Sequence, residues 1–316
     1  MKKKIFSLVF ILIIIVSSFV GCGNTKEKEG SKLKIAALKG PTAMGMVKLI
    51  EEDKYDIEIL GSPDEIMPKI IKGDIEIASI PANLGANLYN KTNGEIEVLA
   101  INTLGVLYLV NNGDAVKGIK DLEGKTIYSS GKGATPEYVL DYILEKNNLK
   151  DKVNIEYKSE HTECLSAILK NKDGIAMLPE PFVTGARLQN KNINVVLDIN
   201  EEWKKISNGN ALITGVLVGK KGVLEERKEE VLNLIDEYKA SVDFTNNNVE
   251  EAAILIEKNN IVKKEIAVKG IENCNIVCIT GDEMKEKLSS YLEILNDKNP
   301  KSIGGKLPNE DFYFIK

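Results

Sequence analysis

The chain has 316 residues, with 42 Lys+Arg against 47 Asp+Glu, a net charge of −5, one histidine and four cysteines. The single His161 excludes metal cages and catalytic sites that need two imidazoles, and the acidic balance excludes the broad basic face that a nucleic-acid partner requires. A hydrophobic content of 43% is that of a globular protein, long enough for one large domain or two medium ones.

Lys2, Lys3 and Lys4 precede an apolar run from Ile5 to about Val16, which leads through Ser17 and Ser18 to Gly21-Cys22. This order is that of a secretory signal peptide over residues 1–21, too short and without the basic stop of a membrane span. The small Gly21 before Cys22 resembles a bacterial lipobox, which marks Cys22 as the lipidation site. Removal of residues 1–21, three of them lysine, takes the net charge from −5 to −8. Residues 22–32 are polar and read as a lipidated tether. The other cysteines, Cys164, Cys274 and Cys278, are odd in number. Asn273–Ile279 reads as a strand, which sets Cys274 and Cys278 about 13 Å apart and favours buried thiols over a bridge.

Lys34–Leu38 (KIAAL) reads as a strand, turning through Lys39-Gly40-Pro41-Thr42 into a helix from Ala43 to about Glu52. A repeat follows: Ile57–Pro81 and Ile155–Pro179 align without gaps at an offset of 98, with eight of 25 positions identical, Glu65/Glu163 and Pro81/Pro179 among them. Each copy reads as strand, helix, buried strand, with Pro68 near the start of the first helix. Lys125–Ser129 (KTIYS) is the counterpart of the first strand and leads to Lys132-Gly133-Ala134-Thr135. Both loops spell Lys-Gly-x-Thr, and Thr135 is expected as N-cap with Pro136 as first helical residue. Two β-α-β-α-β units predict an α/β protein whose lobes are mostly parallel sheets flanked by helices.

Ile96–Asn102 and Val106–Asn111 are adjacent apolar strands between the units, and Ala211–Val218 is another beyond them. There the chain can cross between lobes, giving lobe 1 as residues 33–105 and 215–316 and lobe 2 as residues 106–214. Leu224–Phe244, Val249–Asn259, Lys263–Ile271 and Asp282–Asn296 read as helices packed on lobe 1.

Open α/β sheets bind ligands beyond the carboxyl ends of their strands. The candidate ligand-binding residues are therefore Lys39, Gly40 and Thr42 in the first loop and Ser130, Lys132, Gly133 and Thr135 in its counterpart. Both loops open helices, whose free N–H groups favour an anion or polar acceptor. Ser79 and Asn83 flank Pro81, Glu180 and Phe182 follow Pro179, and Thr214 lies on the returning strand; all five join the set. His161 occupies a strand-to-helix loop, where a ligand contact and a structural hydrogen bond are both open. Trp203, in the polar stretch 200–208, is expected to cover the hinge. No G-x-S-x-G, H-E-x-x-H or G-x-x-x-x-G-K-[ST] occurs, so no catalytic residue, metal ligand or cofactor is assigned.

Phe19–Cys22, Lys39–Thr42, Asp121-Leu122-Glu123-Gly124-Lys125 and Leu178-Pro179-Glu180-Pro181-Phe182 together resemble a family of bacterial lipoproteins. These are the solute-binding proteins of ABC importers, in the branch similar to nitrate, sulfonate, taurine and thiamine-pyrimidine binders. The resemblance implies a type II periplasmic-binding-protein fold of two lobes that close on a ligand in the cleft. It also implies lipid attachment to the outer face of the cell membrane and delivery of a small polar or anionic nutrient to an ABC permease. In that family an E-P-F segment lines the cleft, which points to Glu180 and Phe182. A monomer is expected. A vitamin-biosynthesis-like enzyme on the same scaffold and a ligand-sensing surface lipoprotein stand as the alternatives.

Overall fold

A computed structural model describes residues 31–114 and 116–315; Cys22, the signal segment and most of the tether lie outside the described residues. The strands β1 (Lys34–Leu38), β2 (Asp56–Leu60), β3 (Ile77–Pro81) and β4 (Ile96–Leu104) belong to one sheet. A second sheet is made of β5 (Leu107–Asn112), β6 (Thr126–Ser129), β7 (Asn154–Tyr157), β8 (Ile175–Pro179) and β9 (Ile193–Asp198). The chain then returns to the first sheet with β10 (Ile213–Lys220) and β11 (Ile276–Ile279). The orders are β11-β4-β10-β3-β1-β2 and β7-β6-β8-β5-β9.

The repeat explains the likeness of the two orders. β1 pairs in parallel with β2 and β3, and β6 pairs in parallel with β7 and β8. Next to each parallel trio lies an antiparallel strand, β10 beside β3 and β5 beside β8. The sheets are thus mixed, and the strand that breaks the parallel pattern is in each case the first one laid down after the chain changes sheets. Those passages run from Leu104 to Leu107 and from Asp198 to Ile213. The helices Pro63–Lys72 and His161–Lys170 begin and end 98 residues apart, as do β3 and β8. The glutamate shared by the copies does the same work in each: Glu65 accepts the Ser62 backbone N–H at 2.9 Å, and Glu163 accepts that of Ser159 at 2.9 Å. Both satisfy donors that a helix start leaves free.

Local departures from expectation have packing causes. The helix expected from Ala43 to Glu52 is two pieces, Pro41–Met44 and Val47–Glu52. At the break, a Cβ on Gly45 would lie 2.9 Å from Ile276 and 3.1 Å from the Tyr238 hydroxyl, so only glycine permits this approach to β11. Pro68 sits inside the Pro63–Lys72 helix, where its missing N–H costs a bond; burial of Ile66 and Ile70 on the same element offsets that loss. Cys274 lies in a 3-10 turn, Ile271–Cys274, and not in the strand expected there, while Cys278 is in β11. Cys164 and Cys274 are buried free thiols. The strand β9 and the helices Ala82–Lys91 and Ile199–Ile206 go beyond the elements read from the sequence.

One apolar cluster runs from sheet to sheet, and Trp203 is at its joint. Its ring, fully buried, stands 5.7 Å from that of Tyr142 on the Thr135–Lys146 helix and 5.5 Å from that of Tyr291 on the Gly281–Lys298 helix. Edge-on contacts of this kind add to the large area such rings bury. Trp203→Ala is expected to lower unfolding stability by about 3–5 kcal/mol, read from denaturant titration by circular dichroism; a loss below about 1 kcal/mol would show that the joint contributes little.

Candidate functional site

The carboxyl ends of β1, β3 and β8, the loops after β6 and β7, and the start of β10 converge on a cavity of about 110 Å³. Its wall repeats the internal symmetry of the sequence. Pro41 and Pro136, each in the first turn of its helix, face it from the two loops, and Pro81 and Pro179, equivalent in the repeat, face it from the strand ends. Leu38, Val106, Leu107 and Phe182 add further apolar surface. Lys39, Thr42, Thr103, Thr135, His161, Thr214 and Gly215 complete it.

The prolines change what the helix starts can offer. A proline at the first turn has no N–H to present, so the surface there is a pyrrolidine ring and not a donor. The Pro41–Met44 helix is a single turn, too short to carry a useful dipole. In the second loop the Gly133 N–H is already given to Glu137 Oε2 at 2.5 Å. The hydroxyls are also committed as donors. Thr42 donates to the Leu38 carbonyl at 2.7 Å, Thr214 to that of Leu104 at 2.5 Å, and Thr135 to Asn83 Oδ1 at 3.2 Å. Thr135 is the first residue of its helix and Ala134 is the cap, in place of the capping role expected for it. What the three threonines still present to a ligand is acceptor lone pairs and methyl groups.

His161 is the polar group best placed to recognise a ligand. Its Nδ1 lies 2.6 Å from the Ser130 hydroxyl, and its ring centre lies 5.1 Å from that of Phe182. Burial holds its pKa down at about 4, so the ring is neutral at physiological pH, with one nitrogen a donor and the other an acceptor. Close to the Ser130 hydroxyl is Cys164, whose thiol burial pushes up to about 12. Ser130 therefore fixes the imidazole from the rear and does not line the cavity. Lys39, exposed at the mouth, is the cation among the lining residues.

Five of the residues singled out in the sequence, Lys39, Thr42, Thr135, Phe182 and Thr214, meet at this cavity. Gly40, at φ 127°, is the cap of the Pro41–Met44 helix. Ser79 is buried, accepting from Asn102 at 3.1 Å, and Lys132 stands over the Tyr157 ring. Asn83 is buried where the sheets' helices meet; its amide donates to the carbonyls of Gly133 at 3.2 Å and Ser302 at 3.0 Å. Glu180 faces a different depression, with its carboxylate accepting the Thr184 N–H at 3.0 Å. The four prolines were the missed signal. Pro81/Pro179 is an identity of the repeat, and it marks wall positions as well as strand ends.

A folded-state pKa of about 4 against an unfolded value near 6.5 means that the unfolded chain takes up the His161 proton first on acidification. Stability contributed by the neutral ring is present above pH 6.5 and lost as the pH falls from there through 4, by about 1–3 kcal/mol. His161→Asn should flatten that part of the stability–pH curve, measured by denaturant midpoints between pH 4 and 7.

Residues 96–252, about half of the chain, match the family described as NMT1/THI5 like. No curated relative matches the sequence. Among solved structures, an ABC transporter protein from Parabacteroides distasonis is 25% identical, with a TM-score of 0.75 over 90% of this chain and 99% of that one. The periplasmic aliphatic sulphonate binding protein SsuA of Escherichia coli is 15% identical, with a TM-score of 0.67 over 89% and 91%. A Candida albicans gene product with the generic periplasmic binding protein fold is 17% identical, with a TM-score of 0.57 over 88% and 98%. Two mixed sheets in this arrangement give the chain the periplasmic-binding-protein fold of these neighbours, and the stretch across their junction, residues 96–252, is similar to the NMT1/THI5-like family.

Proposed function

We propose that this protein is the extracytoplasmic solute-binding component of an ABC importer, anchored by lipid at Cys22 after removal of residues 1–21. It captures a small nutrient between its lobes and delivers it to a membrane permease as a monomer that binds without turnover. The observation that carries this reading is the cavity built from equivalent positions of both repeat halves, at the point where the chain passes between sheets. Among the described residues no helix is long and apolar enough to cross a membrane.

Mechanistically, residues 33–105 with 215–316 and residues 106–214 act as the two lobes. Pro41, Pro81 and Thr103 contact a ligand from one side, and Pro136, Pro179 and Phe182 from the other. A ligand that touches both sets binds the closed arrangement better than any open one and shifts the population accordingly. The walls favour an apolar body, His161 a single polar contact, and Lys39 an anionic group left at the mouth. An aliphatic sulphonate, the ligand class named for the Escherichia coli neighbour, combines these features. Burying a full charge deeper would leave it without a cationic partner.

The test is a thermal-shift series on the mature protein with short alkanesulphonates, nitrate, pyrimidines, flavins and amino acids. A ligand at 100 times its Kd should add about 2.7 kcal/mol of stability. Phe182→Ala should weaken the response at least tenfold, whereas Lys72→Ala, on an exposed helix face, should leave it unchanged. Turnover of a candidate by the purified protein would overturn the binding reading. For the anchor, Cys22→Ala should abolish lipid labelling and shift the protein from the membrane to the soluble fraction.

A further inference from the structure

Behind the cavity wall lies a second and larger depression, of about 310 Å³. Thr184, Arg187 and Leu188 line one side at spacings of three and four residues, which places them on one face of the Phe182–Gln189 helix, and Lys191 joins them from the turn after it. Lys269 and Asn273, four residues apart in the segment leading to β11, line the other. The first side belongs to the half of the molecule built on β8 and β9, and the second to the helices packed on the six-stranded sheet. Arg187, Lys191 and Lys269 are exposed, and among the described residues none of them forms an ion pair. The floor is Glu180, only 5% exposed, whose carboxylate is engaged by the Thr184 N–H. Three cations thus converge on a groove whose one carboxylate is buried, held by the Thr184 N–H and within reach of the charge of Arg187 alone among them, in a chain that is acidic overall.

We infer that this groove binds a small oxyanion carrying two or more charges, of the phosphate, pyrophosphate or tricarboxylate class. The guanidinium of Arg187 suits two oxygens of such a group, and Lys191 and Lys269 are point charges for the rest. A multivalent anion is required because the cations stand on opposite sides, and one charge cannot compensate both. The sides are held at close range by small residues: a Cβ on Gly185 would lie 3.1 Å from Ile266, and one on Gly270 would lie 3.0 Å from Pro181. An anion bridging Arg187 and Lys269 therefore ties the two halves together at this seam. The seam and the ligand cavity share one short segment, since Pro179 faces the cavity and Glu180 the groove. Occupancy of the groove favours the arrangement of the halves in which it is bound, which makes it an effector site for the cavity.

The experiment is calorimetric titration of the full-length folded protein with pyrophosphate at low ionic strength, where screening is weakest, with chloride at matched ionic strength as reference. One pyrophosphate per chain is expected. Arg187→Gln and Lys269→Gln should each weaken it at least tenfold, Lys269→Arg should retain it, and Lys72→Ala, on an exposed helix face outside both the groove and the cavity, should leave it unaltered. Melting curves of the variants without anion should overlay the wild type, separating loss of the site from loss of the fold. Equal heats from chloride, or pyrophosphate affinity unchanged in the Arg187→Gln/Lys269→Gln double variant, would overturn the assignment.

Discussion

The antiparallel strand lodged in each sheet is the constraint from which the rest of the molecule follows. β5 is the first strand the chain lays down after leaving the six-stranded sheet, and it seats beside β8; β10 is the first after the return, and it seats beside β3. Each passage between halves is therefore clamped at both ends by ladder hydrogen bonds. The ends of β3 and β8, at Pro81 and Pro179, are brought beside Val106, on the first passage, and Thr214, at the start of β10 just past the second. The cavity needs no insertion or lid, because it is the space left where two sheets exchange chain.

That origin explains its chemistry. Loops that must turn from strand to helix within a few residues use proline and glycine, and their hydroxyls are spent on the carbonyls and amides that the turn exposes. Thr42, Thr135 and Thr214 are held this way. The surface that remains is ring carbon, methyl group and one neutral imidazole, with charge kept at the rim. In the function proposed above, charge recognition on this face falls to Lys39, and discrimination among ligands to His161 and the shape of the walls.

The architecture was legible in the sequence because the repeat preserves positions that fix element boundaries. Glu65 and Glu163 start helices, Pro81 and Pro179 end strands, and the apolar runs between them have no alternative to burial. The mixed pairing was not legible, since an antiparallel neighbour such as β10 reads as the same apolar run as a parallel one. The site was legible in part. Lys-Gly-x-Thr located both loops, but spacing alone does not say whether a threonine hydroxyl points to a ligand or back to its own strand, nor that the Glu180 side chain faces away while Phe182, two residues on, faces in. The helix carrying Trp203 escaped notice because its exposed face is so rich in Glu and Lys that the apolar contacts, Ile199, Trp203 and Ile206, are few.

Trp203 is also the only tryptophan in the chain. Its indole is wedged between aromatic rings contributed by the two halves, Tyr142 from one and Tyr291 from the other. Any rotation of one half against the other must alter the surroundings of that single chromophore. The protein therefore carries its own optical gauge of domain movement at the pivot, one that needs neither label nor substitution.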